Sequence, residues 1–197
     1  MVRLELSLEL NYEIYGQGSD FIFNIHNAYT AHQTVSNEKL ELSQPVNPEI
    51  YTDPATANRY MRLHAEEGQL KVRYQSTIDI NHHFADPAHI AEVSVAKLPA
   101  QVLSYIYPSR YCESDRLHRM AIREFVHLWQ GYSRVKAIQD WVQNRVVYTP
   151  NTSDSSTSAI DTLIEQVGVC RDYAHLMIAL CRAVNIPARF VTGTDYG

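Results

Sequence analysis

Gly168-Val169-Cys170-Arg171-Asp172-Tyr173-Ala174-His175-Leu176 is the stretch around which this 197-residue chain is organised. It opens a strongly apolar run in which Tyr173, Leu176, Met177, Leu180, Cys181 and Val184 recur at helical spacing. Ile178 and Ala179 extend the apolar surface almost all round, so 170–184 reads as a buried central helix ended by Asn185 and Pro187. Cys170 falls in its first turn. Unpaired N–H groups there give positive local potential, suited to a thiolate, and can donate to an oxyanion when sulfur attacks a carbonyl. Gly168 is expected to let the chain bend sharply ahead of the helix. Arg189-Phe190-Val191-Thr192 reads as the start of a strand.

Helical spacing continues upstream. Leu117, Met120, Ala121, Phe125, Leu128 and Trp129 predict a helix within 115–130, ended by Gly131. Ser133 is the expected cap of the next, whose inner face carries Val135, Ile138, Trp141, Val142 and Val146. Residues 149–158 are polar, include Pro150, and read as a loop. Ser158-Ala159-Ile160-Asp161 fits a capping box, opening a short helix to about Gln166 that Gly168 breaks.

The first half has the other period. From Val2 to Leu10 apolar residues alternate with polar ones, and Tyr12 and Ile14 keep the parity until Gly16 and Gly18. Residues 21–27 and 34–42 read as two more strands, while Asn47-Pro48 and Asp53-Pro54 mark a loop. Residues 59–65 and 70–80 are expected to form a long hairpin around Glu66-Glu67-Gly68-Gln69. Leu70, Val72, Tyr74, Ser76, Ile78 and Ile80 share one face of its second arm. The fold class is thus α+β: an antiparallel β-sandwich over 1–108, then a helical domain over 109–197.

Apolar residues make up 45% and charged residues 20%, as in an ordinary globular core. With a net charge of −5, nothing suggests a general affinity for nucleic acid or anionic membranes, and neither is expected as a partner. No run of about 18 apolar residues is present, and no apolar segment follows Met1, so neither a membrane span nor a signal peptide is expected. Three cysteines, Cys112, Cys170 and Cys181, do not make a disulfide framework and fit the cytoplasm.

Residues 168–193 resemble the cysteine motif of bacterial transglutaminase-like proteins, and Thr157-Ser158-Ala159-Ile160-Asp161 is similar to the stretch that precedes it. The β-rich half, with Tyr107-Pro108-Ser109-Arg110-Tyr111-Cys112, resembles the N-terminal region that accompanies the bacterial forms. The resemblance implies a cysteine-protease-like core and a Cys-His-Asp thiol enzyme that attacks amide bonds of a peptide or protein, with no metal or other cofactor in the chemistry. Cys170 matches the nucleophile. The family's His and Asp lie further on, but only 197 − 170 = 27 residues follow Cys170, with no histidine after His175. The expectation is a core truncated after its first strand, inactive alone, from a parent that is a hydrolase of the cysteine-protease type. The alternative is a non-catalytic peptide- or protein-binding module on the same fold.

Tyr148 is a candidate second oxyanion donor, and Asp172 a candidate positioning residue whose carboxylate also suits a first helical turn. Trp141, Cys112 and Cys181 read as core. His175 lies about 140° around the helix from Cys170 and reads as a core or interface histidine. His82, His83, Asp86 and His89 lack a defined ligand spacing, so no metal site is expected.

Overall fold

The structure, a computed structural model, describes residues 1–193. By their contacts these residues fall into two compact units, 1–84 and 85–193, so residues 85–108 group with the helical unit.

The first unit has six strands: β1 (Val2–Ile14), β2 (Ser19–His26), β3 (Gln33–Leu42), β4 (Glu49–Thr52), β5 (Arg59–Ala65) and β6 (Gly68–Ile80). They form two antiparallel sheets, ordered β1-β6-β3 and β2-β5-β4. β6 is central, with Leu4 opposite Ile78, Leu8 opposite Tyr74 and Leu10 opposite Val72. One core joins the sheets, built from Ile14, Leu70 and Val72 of the first and Phe23, Met61, Leu63 and Ala65 of the second. That is the expected sandwich.

Two details differ from the sequence reading. β5 and β6 are not a hairpin. They belong to different sheets, and Glu66-Glu67 carries the chain from one to the other, with Gly68 at φ +116° where the turn needs it. Each strand presents a full apolar face, and stacked sheets bury both faces against each other, whereas a hairpin would lay them side by side. The presumed loop at 47–54 contains β4, an edge strand whose four residues are all exposed; without a buried face it has no alternation to read.

A polar cluster also bridges the sandwich and its surface, with Tyr74 and Arg59 buried and Glu38 and Tyr29 exposed. Arg59 Nη1 donates to Glu38 Oε1 at 2.5 Å, and the Tyr74 and Tyr29 hydroxyls donate to Glu38 at 2.6 and 2.7 Å. β-Bulges between Ser36 and Lys39, with Asn37 at φ +53°, and between Phe23 and His26 interrupt the ladders beside these groups. His26 lies against the Tyr74 ring, its Nδ1 buried without a partner.

In the second unit, three short 3₁₀ turns (Pro87–His89, Val95–Lys97, Ala100–Ile106) precede α1 (Ser114–Phe125), α2 (Tyr132–Gln143), β7 (Val147–Tyr148), α3 (Ala159–Glu165), β8 (Val167–Gly168) and α4 (Cys170–Ala183). α4 is central: Leu176, Ala179 and Leu180 are fully buried among residues of α1, α2 and α3. α1 stops at Phe125, short of the expected 130, and Trp129 is 86% exposed rather than on an inner face. Ser133 is not the cap of α2. Gly131 is, at φ +108°, where a Cβ would meet the Ile90 carbonyl oxygen at 2.5 Å; Ser133 instead donates to the Trp129 carbonyl. Gly168 does not end α3, which closes through Gln166 in the left-handed region. Residues 189–193 form no strand, because no described segment pairs with them; Ala188 is held by its N–H to Tyr105 O and its carbonyl to Arg182. Among the described residues no helix is long and apolar enough to cross a membrane.

Burial, helped by the Arg59 charge, pushes the His26 imidazole below its ordinary value of 6.5, outweighing Glu38. The unfolded chain therefore binds more protons below pH 6.5, and stability present above that pH is lost as pH falls through the window beneath it. The carboxylate of Glu38, held low by the two tyrosines and Arg59 despite burial, adds a loss only below about 4.5. His26→Gln should therefore shrink the drop in urea midpoint between pH 7.5 and 5.5. The part due to His175, also depressed by burial, should remain. An unchanged drop would refute this assignment.

Candidate active site

Cys170 is the first residue of α4 and the exposed thiol of the three; Cys112 and Cys181 are buried. Burial pushes the Cys112 thiol up, and that of Cys181 up to about 12. A nucleophile must be accessible, and of the three thiols Cys170 is the exposed one.

The helix start is built around Asp172. The N-cap residue is Val169, whose side chain cannot accept a hydrogen bond. Asp172, three positions on, reaches back and accepts the Val169 N–H at 2.8 Å, while its own N–H donates to Val169 O. Among the described residues the N–H groups of Cys170 and Arg171 have no main-chain acceptor, as expected of a first helical turn. Asp172 has no exposed surface. Burial alone would raise its carboxyl. The Ser153 hydroxyl beside it, the Val169 N–H and Arg171 outweigh burial and hold it below the usual carboxylate range.

Gly168 has a different reason from the expected bend. Its φ is not in the left-handed region, but a Cβ there would lie 2.7 Å from Asp172 Cβ and 3.0 Å from Oδ2. The glycine leaves room for the carboxylate.

Tyr148 lies on β7, which pairs in parallel with β8 so that Tyr148 stands opposite Gly168, and Thr149 N–H donates to Gly168 O at 3.0 Å. Tyr148, 60% exposed, thus lies on the strand paired with Gly168, which is two residues before Cys170. Trp141 packs edge-on against Phe125 with Arg145 over its ring, and its indole N–H is buried without a partner. His175 is stacked on Tyr111 and flanked by Phe190. Among the described residues no three His, Cys, Asp or Glu side chains gather as metal ligands would.

Two residues escaped the sequence reading. Tyr173, assigned to the apolar face, donates its hydroxyl to Val146 O and so ties α4 to the segment leading into β7. Arg171 bonds Asp172 Oδ1 through Nε and Nη2, both at 3.2 Å, and also Asp154 O at 2.7 Å and Ser153 Oγ at 3.1 Å. The available signal was a cation in the first turn of a helix, where the dipole disfavours one.

Residues 124–197 match the model of the transglutaminase-like superfamily, and residues 2–101 that of the bacterial transglutaminase N-terminal domain. A crystal structure from Cytophaga hutchinsonii, described as a "Putative Cysteine Protease", is 35% identical with a TM-score of 0.86, over 94% of this chain and 67% of that one. A 59-residue stretch is 37% identical to the uncharacterized protein ML0607 of Mycobacterium leprae (strain TN); it is 30% of this chain and 21% of that protein. The chain therefore spans about a fifth of the length of that curated relative.

Limiting iodoacetamide followed by peptide mapping should label Cys170 well before Cys112 or Cys181, and the reverse order would remove Cys170 from the site. Gly168→Ala should lower stability by about 1–3 kcal/mol, the usual range for overpacking, in urea unfolding. A neutral result would mean that Asp172 can move aside.

Proposed function

Because the chain belongs to the transglutaminase-like superfamily and carries the bacterial transglutaminase N-terminal domain, we propose that it bears the nucleophile of a thiol enzyme acting on amide bonds of peptides or proteins. One observation carries the reading: the exposed thiol stands at the first position of a helix whose other faces are buried.

In this reading the Cys170 sulfur attacks the amide carbonyl carbon, and the carbonyl π electrons move to oxygen. The N–H groups of Cys170 and Arg171, free of main-chain acceptors among the described residues, can donate to that oxyanion, with the Tyr148 hydroxyl a candidate further donor. Collapse breaks the carbon–nitrogen bond, and the departing amine takes up a proton. The thioester then passes its acyl group to water, giving an acid, or to an amine, giving a new amide. The description of the Cytophaga relative favours water. Free thiols at all three cysteines support a reducing compartment, the cytoplasm.

Protonating the amine calls for a general acid. His175 is five residues beyond the sulfur and stacked on Tyr111, and residues 176–197 contain no histidine. We therefore assign to these 197 residues acylation by substrates whose leaving group needs no proton.

p-Nitrophenyl acetate should then release a burst of one p-nitrophenolate per chain and leave the acetyl group on the Cys170 peptide. Cys170→Ala should abolish the burst. His175→Gln should leave its rate within about twofold, whereas loss of a working general base costs about 10²–10⁴-fold. A burst that survives Cys170→Ala would overturn the assignment. A chain that never acylates would favour a peptide- or protein-binding module on the same fold.

A further inference from the structure

We infer that Arg171 is a positioning residue for Cys170: it balances the buried charge of Asp172 and ties the 149–158 loop to the first turn of α4. The inference rests on the nucleophile reading above. Its starting point is an anomaly. A cation at the second position of a helix sits at the positive end of the dipole, where it is disfavoured, so its guanidinium must be engaged by something local. It is. Nε and Nη2 both reach Asp172 Oδ1, and Nη2 also reaches Asp154 O and Ser153 Oγ. The acceptors lie on two segments, and the guanidinium engages Asp172 through Nε as well as Nη2, a two-nitrogen grip that an ammonium lacks.

Each half of the arrangement bears on the sulfur. Asp172 has no exposed surface and lies two residues from Cys170. Without Arg171 a lone buried carboxylate would stand close to the atom that must become an anion, and like charges disfavour each other most where water is excluded. The loop is braced within itself, by Thr152 on Thr149 O and by Ser156 on Asp154 Oδ1. Arg171 makes side-chain hydrogen bonds that join it to α4, and the Ser153 hydroxyl beside Asp172 is a further tie. That loop follows directly on Tyr148 and Thr149, which flank Gly168.

Other titratable or charged groups surround this turn. Tyr148 is on β7, Asp154 is in the loop and Asp161 is on α3, where it is committed to its capping box. Tyr173 and His175 are further along α4, and Glu113, just before α1, acts on His175. None of them bonds Asp172, so Arg171 is the charge that balances it.

The test is the pH dependence of Cys170 alkylation by iodoacetamide, read by peptide mapping in the unsubstituted chain and four variants. Arg171→Met leaves one uncompensated negative charge, and the midpoint should rise by about half a pH unit. Asp172→Asn keeps an acceptor for the Val169 N–H and leaves one positive charge, so the midpoint should fall by a similar amount. The double variant should return close to the starting value. Arg171→Lys keeps the charge and loses the fork. Its midpoint should stay near that of the unsubstituted chain, while amide exchange across residues 150–157 speeds up. A purely structural role would lower stability in every variant without shifts of opposite sign. Shifts of the same sign, or none, in Arg171→Met and Asp172→Asn would overturn the inference. Should Arg171→Met not fold, Asp172→Asn and Arg171→Lys carry the test alone. If Cys170 is not the first thiol labelled in the unsubstituted chain, the nucleophile reading fails; if it is and the shifts are absent, this inference alone fails.

Discussion

A carboxylate with no surface exposed to water lies beneath the first turn of α4, and the geometry around Cys170 follows from keeping it there. An isolated buried charge is among the most costly groups a fold can contain, so Asp172 persists because donors converge on it. The Val169 N–H is one, and meeting it sets where the helix begins, since valine cannot cap itself. Arg171 is another, and in reaching Asp172 it also draws in Ser153 and Asp154. The space the carboxylate occupies requires a residue without a side chain at 168, and that backbone pairs with Tyr148. The exposed thiol is thus placed by a buried neighbour two residues away, on a helix that cannot shift because Leu176, Ala179 and Leu180 are packed on every side.

The sandwich of the first unit answers to a similar constraint. β6 is paired along both edges and sends Leu70, Val72 and Tyr74 into the core with no exposed surface to speak of. Tyr74 brings a hydroxyl with it, and burying that group without a partner would be unfavourable. Glu38 accepts from it and from Tyr29, and Arg59 balances Glu38. Bulges in β2 and β3 interrupt the regular ladders next to this cluster, and departures of that kind leave no trace in an alternation pattern.

Much of this was legible along the chain. Alternation located β1, β2, β3, β5 and β6 because one face of each strand meets a core and the other meets water. The all-round apolar surface of 170–184 identified α4 as central, and the capping box at Ser158 and Asp161 is present in both halves. β4 was missed because none of its residues is buried. The end of α1 and the start of α2 were misplaced because the approach of Ile90 to Gly131, a contact between residues 131 − 90 = 41 positions apart, decides where that turn falls.

The sequence by itself determined five of the six strands of the first unit and the four helices of the second, which thiol heads the buried helix, and which family the motif resembles. Those properties are local or periodic: each depends on a residue and its near neighbours, and the spacing of apolar side chains reports it directly. The tertiary structure alone decided that β5 and β6 lie in different sheets, that Gly168 is a glycine because of a carboxylate rather than a bend, and that Arg171 bridges two segments. Each of these is a matter of which atoms meet in space. A strand's alternation is the same whichever sheet it joins, and an arginine reads as a surface charge until its acceptors are in place.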